Sequence, residues 1–141
     1  MLEEGGAKLL PQSGEGEQSM GTMELTYAVI DPEAENGGLA LQARIGEFSL
    51  LITGDLPAEG ETELMQRLDV TDTSVLIAGH HGSRYSTGME LLEAAMPQAV
   101  LISAGEGNAY GHPTGETLAR IRAVGAQVRR TDCNGTIVIE V

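Results

Sequence analysis

Basic residues are scarce. The chain carries 8 Lys and Arg against 21 Asp and Glu, a formal net charge of −13. Such a surface repels polyanions, and no basic cluster marks a nucleic-acid footprint. A phosphate-ester substrate would therefore need its neutralising charge from bound metal. Most of the carboxylates read simply as soluble surface. Aromatic residues are also few: one Phe, three Tyr and no Trp. The lone Cys133 excludes an intramolecular disulfide framework, is compatible with a reducing compartment, and reads as a small buried residue. No apolar stretch approaches the ~20 residues that span a bilayer. Met1-Leu-Glu-Glu has neither a basic n-region nor an apolar h-region, so no signal peptide is expected. With 141 residues the chain is at most one domain of ordinary size.

The chain divides into residues 1–23, read as a linker or remnant of a preceding segment, and residues 24–141, which carry the folded pattern. Pro11 to Gly21 is rich in Gly, Ser, Gln and Glu. Beyond it, strands are expected at 25–30, 39–45, 48–53, 75–78, 99–102, 127–130 and 136–141. Helices are expected at 57–68, 88–96 and 114–124. Pro57 and Thr114 mark two helix starts, and Pro97 and Gly125 mark two ends. The alternation of Leu39, Leu41, Ala43 and Ile45 gives a half-buried strand, hairpinned through Gly46-Glu47 into the next. The fold class read from this order of elements is α/β.

What is present is concentrated at strand ends. Phe48 to Thr53 runs into Gly54-Asp55, and Val75 to Ala78 runs into Gly79-His80-His81-Gly82-Ser83. Ala99 to Ile102 leads into a compact stretch containing Asn108, Tyr110 and His112. Carboxylate oxygen and imidazole nitrogen suit Zn²⁺, Mn²⁺ or Fe. A carboxylate can also bridge two such ions. The glycines let a substrate or metal approach the backbone closely. Taken alone, His80 and His81 also fit ordinary loop histidines. Ser83 reads either as a nucleophile with His81 as base or as a turn residue. Asn36 and Asn108 read as turn residues, and Tyr110 as a packing residue with a wet hydroxyl.

The order Asn36-Gly-Gly-Leu, Leu50-Leu-Ile-Thr-Gly-Asp55, Gly79-His-His-Gly-Ser83, Ser86-Thr87, Ser103-x-Gly-x-x-Asn108-x-Tyr-Gly-His-Pro113 and Thr131-Asp132-x-x-Gly135 forms a specific combination. It resembles the C-terminal half of the metallo-β-lactamase-like domain of ComEC-family competence proteins and their stand-alone hydrolase relatives, over roughly residues 22 to 141. The resemblance implies an αββα sandwich with a dinuclear site, holding two Zn²⁺ or Mn²⁺ ions in the complete domain. Asp55 would be the bridging carboxylate. One of His80 and His81 would be a ligand, and the other would face the substrate phosphate. His112 would line the same pocket. Asn36 would be a weak ligand or a hydrogen-bond donor to substrate, and Ser83 and Asn108 would contact substrate.

The chain departs from that pattern in its first half. The superfamily's HxHxDH or HxDxDH run and the family's opening DVGQGD strand are absent from the sequence. The expectation is therefore a partial domain with an incomplete metal site. It would belong to a phosphodiesterase or nuclease, with DNA as a candidate substrate and metal-bound hydroxide as nucleophile. Activity would require the missing N-terminal half, or self-association would cover the exposed sheet. The alternative is a truncated, non-catalytic folding or interaction module. By resemblance the parent would be membrane-tethered, although nothing in these residues shows membrane contact.

Overall fold

The computed structural model describes residues 14–31 and 37–141. Seven strands form one mixed sheet in sequence order: β1 (Gly14–Met20), β2 (Met23–Ile30), β3 (Gly38–Ile45), β4 (Phe48–Ile52), β5 (Val75–Ile77), β6 (Ala99–Ile102) and β7 (Gln127–Arg130). The first four strands make an antiparallel meander, and β4 to β7 run parallel. The parallel strands are linked by α1 (Ala58–Arg67), α2 (Met89–Ala95) and α3 (Gly115–Ala123), and a last turn of helix, α4 (Thr131–Asn134), follows β7. The α/β class is as the sequence indicates. Parallel pairing needs crossovers of this length, and it carries every strand's C-terminal end to one edge of the sheet.

The helices are placed by local signals. Pro57 precedes α1, which has Glu59 and Glu61 in its first turn and Arg67 in its last. Glu63 pairs with Arg67 one turn later. Met96 ends α2 in the left-handed region at φ 45°, and Pro97 follows. Thr114 caps α3, its hydroxyl accepting from the Thr117 amide at 3.4 Å. Neighbouring helices touch, α1 against α2 and α2 against α3. They bury one face of the sheet. Leu51, Leu76, Val100 and Ile102 pack beneath Leu91, Leu92, Ala95 and Ile121, while Ala28, Ile30 and Ala40 pack with Leu56, Leu64 and Leu68. Each buried Leu, Ile or Val among them contributes about 1.5–3 kcal/mol of burial.

The other face carries no helix among the described residues. One row across it runs Tyr27, Leu41, Ile52, Ile77 and Leu101, and the next runs Leu25, Ala43, Leu50, Val75 and Ala99. Most of these residues are half-buried, and Leu39 and Ile45 on the same face are 38% exposed. The alternation of Leu39, Leu41, Ala43 and Ile45 is thus real, but it points away from the helices.

Three expectations are corrected. Gly14–Met20, inside the segment read as linker, is a strand paired along its whole length with β2. The Gly-rich composition hid it: Gly16 has no side chain because the Tyr27 ring lies over it. Residues 136–141, read as a strand, are not one. Helix α4 and Gly135 at φ 68° turn the chain off the sheet after β7, which leaves Val138 and Val141 exposed. Cys133 is exposed rather than buried. Among the described residues no helix is long and apolar enough to cross a membrane.

Candidate functional site

The parallel strands deliver the predicted residues to one edge. Asp55 follows β4, His80 and His81 follow β5, and Asn108 and His112 lie in the loop after β6. The turn after β5 is the most distorted backbone in the group. His80, His81 and Gly82 take φ values of 46°, 57° and 82° in succession. The left-handed region is unfavourable by about 1–2 kcal/mol for a residue with a Cβ. Two adjacent cases persist only where the surroundings hold them. The holding contacts are identifiable. The His80 amide donates to the Gly54 carbonyl at 3.0 Å, and the Ser83 amide donates to the His80 carbonyl at 3.0 Å. Gly82 sits against Pro113: a Cβ placed there would lie 2.5 Å from the proline Cβ. Glycine therefore lets the His80–His81 turn and the His112–Pro113 loop meet.

The three imidazoles gather as a result. The His80 ring lies 5.6 Å from that of His112 and 6.4 Å from that of His81, both edge-on. His81 Nδ1 is 2.9 Å from the Ser103 carbonyl oxygen. A carbonyl only accepts, so Nδ1 carries the proton and Nε2 keeps its lone pair. Desolvation holds the His112 imidazole below its ordinary range, and the charge that His80 or His81 would carry if protonated, like that of Arg84, acts the same way. Two cavities flank the cluster. One, of about 250 Å³, is lined by His81, Ser103, Ala104, Asn108, Tyr110 and His112. The other, of about 410 Å³, is lined by Asp55, Glu59, His80, Arg84, Tyr85 and Ser86.

Asn108 lines the first cavity but spends its amide on the loop. Its Nδ2 donates to the carbonyls of Gly105 at 3.0 Å and His112 at 2.6 Å, and its Oδ1 accepts from the His112 amide at 3.0 Å. Ser83 is buried, with its hydroxyl 3.4 Å from the Tyr85 amide and its carbonyl accepting from the Thr117 hydroxyl at 2.9 Å. Asn36 lies outside the described residues. Tyr110 is 84% exposed, not packed, and stacks on His112 at 6.0 Å.

Glu61 and Arg120 escaped the sequence reading, and Thr87 entered it only within the Ser86-Thr87 pair. Glu61 is 1% exposed, and its carboxylate accepts from the amides of Thr87 and, at 2.8 Å, Gly88. The Thr87 hydroxyl in turn accepts from the Gly79 amide at 2.9 Å. Arg120 donates to the carbonyls of Arg84, Ser86 and Thr87 at 3.0, 3.0 and 3.1 Å. A buried carboxylate and a guanidinium thus grip the 83–88 loop from two sides. Glu61 had a signal available: it falls in the same helical stripe as Leu64, Met65 and Leu68.

The donors Asp55, His80 and His81 are of metal-ligating types, and the free Nε2 of His81 matches the pattern of a ligand oriented through its other nitrogen. Among the described residues, however, no three His, Cys, Asp or Glu side chains are grouped to hold a metal ion. These side chains do not complete a metal site by themselves.

No family model matches the chain. Over 120 residues, 81% of its length, it is 40% identical to ComE operon protein 3 of Bacillus subtilis. The chain is similar to a segment of competence proteins. Competence protein ComA of Neisseria gonorrhoeae is 39% identical over 73% of the chain, and Recombination protein 2 of Haemophilus influenzae is 34% identical over 65%. The chain spans only 16%, 15% and 11% of these three relatives' lengths. The homologues support a competence-protein relationship for this segment, as the sequence motifs indicate.

Proposed function

We propose that the chain is part of a metal-dependent hydrolase of phosphodiesters that serves competence, with DNA as the candidate substrate. The observation that carries this reading is the gathering of His80, His81 and His112 beside the Asp55 cavity, at the C-terminal edge of the parallel strands. The fold would be the C-terminal portion of a metallo-β-lactamase-like αββα sandwich, whose second layer covers the bare sheet face. A divalent ion would be held by Asp55 and one or both of His80 and His81, together with donors from outside the described residues. Such an ion supplies Lewis acidity and a hydroxide at neutral pH.

This chain's own residues have narrower tasks. The Ser103 carbonyl fixes the His81 tautomer, so that Nε2 faces outward as an acceptor. His112, whose imidazole desolvation holds below its ordinary range, can accept a hydrogen bond through a ring nitrogen. Arg84, in the His80 cavity, is a cation for a phosphate oxygen. The test is hydrolysis of bis(p-nitrophenyl) phosphate with Mn²⁺ by a protein carrying this chain together with the preceding half of the domain. Asp55→Ala and His81→Ala should each lower the rate by at least about 100-fold. Ser83→Ala should keep most of it, because Ser83 is buried in its turn. A Ser83→Ala loss equal to that of Asp55→Ala would favour a serine nucleophile instead.

A further inference from the structure

Two of the chain's three tyrosines stand exposed beside the imidazole cluster. Tyr27 is buried, but Tyr85 is 71% and Tyr110 84% exposed. Exposing a large ring forgoes burial in a chain that has only four aromatic residues of the Phe, Tyr and Trp types. Each exposed ring lines one of the two cavities beside the imidazole cluster. Tyr85 lines the cavity with Asp55, His80 and Arg84, and Tyr110 lines the one with His81 and His112. From Tyr110 to His112 the rings step 6.0 Å, and from His112 to His80 a further 5.6 Å. The platforms thus stand on the two sides of the candidate chemistry.

The charge balance limits what these platforms can bind. Asp55 and Glu59 line the Tyr85 cavity, and Arg84 is the one basic residue there besides His80. Arg84 is also 3.6 Å from Glu116. With a net charge of −13 the chain gains little from phosphate neutralisation, the term that dominates most nucleic-acid binding. Beyond what a metal ion or Arg84 gives to a single phosphate, affinity for a phosphodiester polymer must come from its uncharged parts. Bases stack on aromatic rings without sequence preference, but only where their faces are not already stacked in a duplex.

Building on the phosphodiester reading above, we infer that Tyr85 and Tyr110 are stacking platforms that select single-stranded nucleic acid and seat one base on each side of the bond presented to the histidines. The tyrosines set substrate preference and touch bases, not the reacting phosphorus.

The test is equilibrium binding of a fluorescently labelled oligothymidylate to the whole 141-residue chain in Mg²⁺, read by anisotropy. Parallel titrations use an abasic strand of equal length, the corresponding duplex and thymidine monophosphate. The oligothymidylate should bind at least about fivefold more tightly than the abasic strand, and Tyr85→Ala and Tyr110→Ala should each weaken it by at least about fivefold. Tyr85→Phe and Tyr110→Phe should restore binding, since stacking needs no hydroxyl. Added salt should leave binding unchanged or strengthen it, because screening relieves repulsion. Equal binding of the abasic strand, equal binding of the duplex, or no binding would overturn the inference. So would alanine variants that change only self-association, which would make the tyrosines a protein-docking surface. Thymidine monophosphate binding as tightly as the oligomer would overturn the two-platform arrangement. Hydrolysis of bis(p-nitrophenyl) phosphate is read separately. Its loss beside intact base-dependent binding would sink the hydrolase reading alone, and the reverse pattern would sink this inference alone.

Discussion

Replacing Glu61 tests how the histidine turn is held. The carboxylate accepts two backbone N–H groups at the start of α2, and Thr87 passes that support to the Gly79 amide. Glu61→Gln keeps the volume and one oxygen, but its amide nitrogen then faces one of the two donors. A buried donor without an acceptor costs roughly 1–3 kcal/mol, which should lower the urea midpoint by on the order of 1 M. Glu61→Ala loses both acceptors and leaves a void, so its cost should be larger, about 3–5 kcal/mol. Far-UV circular dichroism against urea reads both. The pH dependence decides which electrostatic effect wins. Burial raises the Glu61 carboxyl above its usual 4.5, against the two N–H bonds and Arg120, which lower it. With the folded value above the unfolded one, the native state holds the proton more tightly. The stability Glu61 contributes is then full below the unfolded value and declines as pH rises through the folded one. Gln does not ionise, so the Glu61→Gln deficit should be larger at pH 5 than at pH 7.5. A deficit that grows with pH would mean that the N–H bonds and Arg120 hold the carboxyl ionised, and the burial argument would fail.

Gly82→Ala should cost about 2–4 kcal/mol, from its positive φ and the clash with Pro113, and it should shift the His112 side-chain resonances in an NMR spectrum. A neutral Gly82→Ala would mean that the two histidine loops do not depend on that contact. The bare sheet face, an apolar patch on the order of several hundred Å², should drive self-association, with a two-fold pair the simplest form. Light scattering should show a dimer or larger species that strengthens with salt as the acidic repulsion is screened. A monomer at every ionic strength would require some other cover for Leu41, Leu50 and Ile52.

Much of the architecture is legible because local and global signals agree. Apolar runs bounded by glycine became β4, β5 and β6, and Pro57, Pro97, Thr114 and Gly125 bounded helices close to where they stand. The parallel pairing then brought Asp55, His80, His81 and His112 to one edge, a meeting that spacing along the chain does not reveal. Composition misled at both ends. A glycine-rich segment became strand β1 because the sheet offered β2 as a partner. The β-branched tail at 136–141 stayed unpaired because Gly135 turns it off the sheet. Nothing in the sequence singles out Arg120, and only tertiary structure shows it bonded to three carbonyls of the loop behind the histidines.

On the function proposed above, Asp55, His80 and His81 are only an incomplete share of a divalent-metal site. Equilibrium dialysis of the untagged chain against Zn²⁺ and against Mn²⁺, followed by elemental analysis, tests it directly. Asp55 with one or two histidines falls short of the four donors of a closed site. Fewer than one ion per chain should bind, dialysis should remove it, and whatever remains should be lost in Asp55→Ala. Two ions per chain that survive dialysis, or binding indifferent to Asp55→Ala and His81→Ala, would contradict it.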